Sequence, residues 1–287
     1  MPREMGAFPA IHGIQRSRPF LAVLCLWAGL TLAACDDDAS GGSSAEGQAS
    51  QQTSGPVFAS GSGTDSVSVQ DPSEPAFADP ALAACVKAAG APANAITSLT
   101  CTSGAVVRLA GIETLTALKT LELNGNEIED LRPLAGLTTL VSLNLAANRV
   151  RDLTPLEQLA GLWELILAGN AIDDLGPLDG LTALTRLDLS ANGIDDVRPL
   201  AYPTRLEYLK LDGNAINDVT SLESLTHLTF LNLSTNSISY GIAGLAALSR
   251  VSSILLLGNG DIPCMEVDAL RDALGGSVVT GPSHCAP

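Results

Sequence analysis

Leu118-Lys119-Thr120-Leu121-Glu122-Leu123-Asn124-Gly125-Asn126-Glu127-Ile128-Glu129-Asp130-Leu131-Arg132-Pro133-Leu134-Ala135-Gly136-Leu137-Thr138-Thr139 is one unit of a repeat, and Leu140 to Gly161 restates its frame. Seven asparagines mark the register: Asn126, Asn148, Asn170, Asn192, Asn214, Asn236 and Asn259. The first six are 22 residues apart, and the last step is 23. A fixed period of this length means a solenoid, in which one turn of chain stacks on the next. Such folds present long, rigid, exposed surfaces suited to binding.

The chemistry of the unit fits this reading. Leu121 and Leu123 alternate as a short strand requires, inward on either side of an outward Glu122. The amide of Asn126 both donates and accepts, so it can satisfy backbone groups where the chain turns. Pro133, Pro155, Pro177 and Pro199 mark a return segment that cannot pair as a strand. The pattern L-x-x-L-x-L-x-x-N-x-I-x-D-L-x-P-L-x-x-L resembles the leucine-rich repeat family, and is most similar to the short bacterial type of internalin-like proteins and to the eukaryotic phosphatase-regulator type. The resemblance runs from Ile96 to about Asn259. It implies a parallel concave sheet, an asparagine ladder along the stack, and protein ligands.

One further turn precedes the first asparagine. Ile96, Leu99, Cys101, Val106, Leu109, Ile112 and Leu115 occupy the apolar frame, with Gly104 in place of the asparagine. The expected fold is therefore an α/β solenoid of about eight turns, with strands near 98–102, 120–124, 142–146, 164–168, 186–190, 208–212, 230–234 and 253–257. At roughly 4.8 Å per strand the stack is about 35 Å long.

A solenoid exposes its core at both ends and needs caps. Asp79-Pro80 opens a helix in which Leu82, Cys85, Val86 and Ala89 share one face and Gly90 ends the run. At the other end Val267, Leu270 and Leu274 line a second helix, stopped by Gly275-Gly276. Four of the six cysteines, Cys85, Cys101, Cys264 and Cys285, fall two at each end. About seven turns, on the order of 30 Å, separate Cys101 from Cys264, beyond the ~7 Å Cα limit of a disulfide. Cys85–Cys101 and Cys264–Cys285 are the expected pairs; the bland alternative is four free buried thiols. No C-x-x-C spacing accompanies His284, so no metal site is expected.

Residues 1–34 read as a signal peptide: Arg3, Arg16 and Arg18, then an uncharged stretch of 15 residues from Phe20 to Ala34. That stretch is shorter than the ~20 residues of a membrane span. Leu32-Ala33-Ala34-Cys35 resembles the bacterial lipoprotein box, which implies cleavage before Cys35 and acylation of it. Asp36-Asp37-Asp38 follows; in enteric lipoproteins an aspartate there resembles an inner-membrane retention signal. Residues 35–76 are rich in Ser, Gly, Gln, Asp and Pro and cannot bury enough to fold. As a flexible coil they would span about 35 Å. The domain plan is leader 1–34, tether 35–76, helical cap 77–95, repeats 96–262 and disulfide cap 263–287, in an exported, membrane-anchored lipoprotein.

Three of the 15 Lys+Arg and one of the 31 Asp+Glu lie in the leader, leaving a net charge of −18. This opposes nucleic acid or anionic lipid as a partner and suits a basic protein ligand.

The outward strand positions form the concave face in this family. The central column is Thr100, Glu122, Asn144, Ile166, Asp188, Lys210, Asn232 and Leu255. Beside it run Thr120, Ser142, Glu164, Arg186, Tyr208, Phe230 and Ser253, then Lys119, Val141, Trp163, Thr185, Glu207, Thr229 and Ser252. Aromatics with arginine amid mixed charge are typical of binding hot spots. The candidate site is Trp163, Glu164, Ile166, Arg186, Asp188, Tyr208, Lys210 and Phe230. The bland alternative is scattered surface residues covering a sheet. Tyr202 falls in a disrupted turn on the outer side, and Tyr240 replaces the repeat aspartate.

Asp130, Asp152, Asp174, Asp196 and Asp218 recur once per turn. Either they hold a cation or they cap backbone N–H groups of the return segment. Calcium sites want several oxygens from one loop, and no such loop is present, which favours capping. No nucleophile elbow, phosphate loop, metal triad or cofactor motif is found. Three functions stand: a recognition module for a protein or, second, a glycan ligand; a passive envelope lipoprotein; and an enzyme with an unrecognised site.

Overall fold

The computed structural model describes residues 77–102 and 104–285, all within the compact unit Ser66–Pro287. The leader, Cys35 and the tether lie outside the described residues. Nine parallel strands form one sheet in chain order: β1 (Ser98–Thr100), β2 (Thr120–Glu122), β3 (Ser142–Asn144), β4 (Glu164–Ile166), β5 (Arg186–Asp188), β6 (Tyr208–Lys210), β7 (Phe230–Asn232), β8 (Ser253–Leu255) and β9 (Val279–Thr280). The eight expected strands are present, each trimmed to three residues. Beyond them the strand-exit carbonyls are taken up by the asparagines. β9 is an addition that lies outside the repeat.

Register follows from the 22-residue step: Thr120 pairs with Ser142, Ser142 with Glu164, Glu164 with Arg186, Arg186 with Tyr208, and Tyr208 with Phe230. Phe230 pairs with Ser253, across the step of 23. Gly241 is the extra residue. Tyr240 bridges Asp218, whereas Ile242 takes the core position of Val219. Gly241 has φ +90°, and a Cβ there would overlap the Thr220 amide nitrogen.

The core is a continuous column of leucine layers. In the first unit Leu118, Leu121, Leu123, Ile128, Leu131, Leu134 and Leu137 are all buried. Fully burying such a side chain contributes about 1.5–3 kcal/mol, and every turn brings about seven. Return segments run as short 3-10 helices such as Arg132–Leu134 and Thr154–Leu156, with proline in their first turn.

Each asparagine ties its turn to the one before. Asn148 Nδ2 donates to Leu123 O at 2.9 Å and Leu145 O at 3.0 Å, while its Oδ1 accepts from Ile128 N at 3.0 Å. Asn126 serves the first turn in the same way, through Cys101 O, Leu123 O and Val106 N. The other five repeat this scheme. The residue ahead of each asparagine is left-handed: glycine at 125, 169, 213 and 258, and Ala147, Ala191 and Thr235 elsewhere.

A helix stands at each end. In α1 (Pro80–Ala88), Leu82 and Val86 are buried. Asp79 caps it, with Oδ1 accepting from Ala81 N and Leu82 N, and its Oδ2 accepts from Val107 N at 2.8 Å and Arg108 N at 3.0 Å. One carboxylate thus fixes the helix to the first return segment. Burial pushes the Asp79 carboxyl up, and these four N–H donors outweigh it, leaving its pKa below the usual value. In α2 (Cys264–Leu274), Val267 and Leu270 are buried. Among the described residues no helix is long and apolar enough to cross a membrane.

Cys264 and Cys285 form a disulfide, with Cα atoms 5.0 Å apart. The other expected bond is not formed: Cys85 and Cys101 are free thiols. Their side chains meet through a hydrogen bond and not an S–S bond, and burial raises the pKa of the Cys101 thiol. Asp79 and the buried Leu82 and Val86 hold α1 in place without that cross-link.

Candidate ligand-binding face

The parallel register places outward side chains of successive strands side by side, so each column is a chain of neighbours. One column is connected from Ser142 to Phe230. Ser142 Oγ donates to Glu164 Oε2 at 2.8 Å. Glu164 Oε1 is 3.1 Å from Arg186 Nε. The Arg186 guanidinium carbon stands 4.1 Å from the centre of the Tyr208 ring. Tyr208 and Phe230 stack with centroids 4.7 Å apart and planes at 11°.

The central column pairs more locally. Asn144 Nδ2 donates to Glu122 Oε2 at 2.8 Å. Lys210 Nζ is 3.3 Å from Asp188 Oδ2, and Ser190 Oγ donates to Asp188 Oδ1 at 2.6 Å. Burial opposes the charge on Lys210, and Asp188 with Tyr208 and Asp212 more than offsets it, so its pKa lies above the ordinary lysine value. Asn232 Nδ2 donates to Asp212 Oδ1 at 2.8 Å. Ile166 stands between these pairs, half-buried.

The structure therefore brings the candidate residues onto one face and ranks them. Glu164, Arg186, Asp188 and Lys210 satisfy one another. Tyr208 and Phe230 cover each other and are half-buried. Trp163, in the adjoining column, is 45 % exposed. Its backbone oxygen accepts from Thr185 N and Arg186 N, so the residue is fixed by the sheet while its ring is left to solvent. Outside this face Tyr202 and Tyr240 are also exposed, on the return side.

The five aspartates act within their own turns. Each Oδ1 accepts from the backbone N–H two residues on: Asp130 from Arg132, Asp152 from Thr154, Asp174 from Gly176, Asp196 from Arg198 and Asp218 from Thr220. Arg132 also grips Asp130 through Nε and Nη2, and Arg198 grips Asp196 in the same manner. The side-chain bond from Arg132, and the corresponding ones from Thr154, Arg198 and Thr220, lower the pKa of Asp130, Asp152, Asp196 and Asp218. At the far end Cys264, His284 and Cys285 approach one another, with both sulfurs committed to the disulfide and His284 Nε2 3.2 Å from Ile262 O.

One group escaped sequence inspection. Arg205, His227 and Arg250 occupy equivalent exposed positions in the turns before β6, β7 and β8. Their spacing follows the asparagine register, 22 then 23 residues, which is the signal that would have found them.

Family models for leucine-rich repeats match residues 116–158, as two copies, and 182–238. No curated protein matches the chain. Among solved structures, internalin C2 (inlC2) from Listeria monocytogenes is 34 % identical, with 71 % of this chain and 93 % of that one covered and a TM-score of 0.66. The internalin inlF from the same organism is 33 % identical with a TM-score of 0.65, covering 69 % of this chain; the present chain spans 61 % of its length. A leucine-rich repeat protein of Leptospira interrogans is 26 % identical, with 59 % and 44 % covered and a TM-score of 0.55.

Proposed function

The chain belongs to the internalin-like leucine-rich repeat family, and from that premise we propose that it is a non-enzymatic recognition module binding a protein ligand on its concave face. The observation that carries this reading is Trp163. Its ring is held out to solvent beside a column whose polar groups are already paired. A rigid aromatic anchor on a preorganised surface loses little entropy on binding. The paired charges around it offer shape and orientation, and the net charge of −16 favours a ligand of opposite overall sign.

Acylated Cys35 would anchor the module in the cell envelope, with residues 36–76 as the tether. Several acyl chains anchor stably where a single chain does not.

The test is capture from envelope extract by the full-length chain beside its Trp163→Ala variant, with circular dichroism on both. The ligand is expected to be lost by Trp163→Ala at unchanged fold, with at least a ~30-fold weaker Kd once it is purified. Equal capture by both chains would refute the concave-face assignment, and no capture by either would favour the passive envelope role. For the anchor, Cys35→Ala is expected to abolish incorporation of labelled palmitate and release the protein from membranes. Membrane retention of Cys35→Ala would overturn it.

A further inference from the structure

The described residues contain 12 Lys+Arg. Seven are held in ion pairs at 3.3 Å or less. Arg205 and Arg250 are not among them, although the chain carries twice as many acids as bases. They share one repeat position with His227, at the rim where the chain enters the concave sheet. The same position on earlier turns holds Ala117, Thr139, Gly161 and Ala183, all uncharged. The basic column is therefore confined to three successive turns.

A hydroxyl precedes each member. The residue before each member is Thr204, Thr226 or Ser249, an exposed hydroxyl with no side-chain hydrogen bond among the described residues. His227 Nδ1 lies 3.1 Å from Thr204 O. A carbonyl only accepts, so Nδ1 carries the proton, and Nε2 is left to point away from that contact. At about 4.8 Å per turn the two arginines stand about 10 Å apart along the stack. Each guanidinium offers a fork that matches a carboxylate.

We propose that this rim docks an acidic segment of the protein ligand, a polyproline II stretch with carboxylates three residues apart. Three residues of polyproline II make one full turn and cover about 9 Å, so both carboxylates share a face at close to the separation of Arg205 and Arg250. The rest of the surface is dominated by acids and repels such a segment. The rim thus selects the orientation in which the ligand meets Trp163, two turns away. This inference rests on the protein-ligand reading above.

The probes are two synthetic peptides, GESSEG and GQSSQG, titrated against the full-length 15N-labelled chain. GESSEG is expected to shift the amides of residues 204–205, 226–227 and 249–250 at least 10-fold more tightly than GQSSQG. The pair Arg205→Gln/Arg250→Gln is expected to weaken this and Arg205→Glu/Arg250→Glu to abolish it, with circular dichroism unchanged in both. Trp163→Ala is expected to leave the titration intact, so a failed anchor and a failed rim give different results. Titration unaffected by the arginine variants would overturn the proposal. So would shifts of these amides by inorganic phosphate or phosphatidylglycerol vesicles with none by GESSEG, since the rim would then read phosphate.

Discussion

Phe230 lies 4.7 Å from Tyr208, ring to ring and nearly parallel, and the opposite face of Tyr208 carries Arg186 at 4.1 Å. Both rings sit on the exposed side of a sheet, yet both are half-buried by this contact. Stacked pairs contribute about 1 kcal/mol beyond the area they bury. A double-mutant cycle with Tyr208→Ala and Phe230→Ala, followed by urea unfolding, is expected to return a coupling of about 1 kcal/mol. Strict additivity would mean that the stack contributes nothing.

Asn259 is fully buried and holds Leu233 O, Leu256 O and Ile238 N at 2.9, 3.0 and 3.2 Å. Asn259→Ala would orphan all three. An unsatisfied buried polar group costs about 1–3 kcal/mol, so a loss of at least about 3 kcal/mol is expected. Asn170 makes the same bonds but is only half-buried, and water can replace part of them. Asn170→Ala is therefore expected to cost less than Asn259→Ala when both are compared by chemical denaturation.

Gly241 admits no side chain, because a Cβ would strike the Thr220 backbone. Gly241→Ala is expected to destabilise by more than about 2 kcal/mol. Thr235 presents the opposite case: a β-branched residue at φ 56°, where the equivalent Gly213 and Gly258 sit freely. Thr235→Gly is expected to stabilise by about 1 kcal/mol, read as a rise in Tm. A fall in Tm would show that Thr235 is held there by contacts stronger than its strain.

Asp79 has its pKa lowered in the folded chain by four backbone donors that outweigh burial. A depressed carboxylate contributes stability that is present above its unfolded pKa of about 3.9 and is lost as pH falls through the folded value. Thermal stability is expected to decline below about pH 4, and Asp79→Asn to flatten that decline. Asp130, Asp152, Asp196 and Asp218 are shifted in the same direction, so the slope is expected to shrink rather than vanish. An unchanged slope would place the acid sensitivity elsewhere.

The sheet was legible because one period specifies strand, register and core together. Once Asn126 and Asn148 are aligned, Leu121 must stack on Leu143 and Ser142 on Glu164, as found. Val279–Thr280 was not legible, since a two-residue strand outside the repeat carries no periodic signal. For the cysteines, distance excluded cross-solenoid pairs and left Cys264–Cys285, which forms. The same elimination also left Cys85–Cys101, which the structure holds as two free thiols, because spacing does not say whether neighbouring thiols are joined. The candidate face was legible as membership of columns. Which members spend their charges on each other depends on rotamers, and alternation alone does not reveal that Arg186 turns toward Glu164 and Tyr208.

The constant step between turns makes the solenoid a ruler. Trp163 and Arg205 are separated by two graduations, and nothing in the asparagine scheme depends on how many graduations the stack contains, because each amide bonds only within its own turn and the turn before. A 22-residue duplication placed between Trp163 and Arg205 would slide the aromatic anchor away from the basic rim by about 4.8 Å while leaving every local bond as it was. Spacing between recognition elements, and with it the length of ligand that can bridge them, can thus change in whole steps without any change in the chemistry of either element.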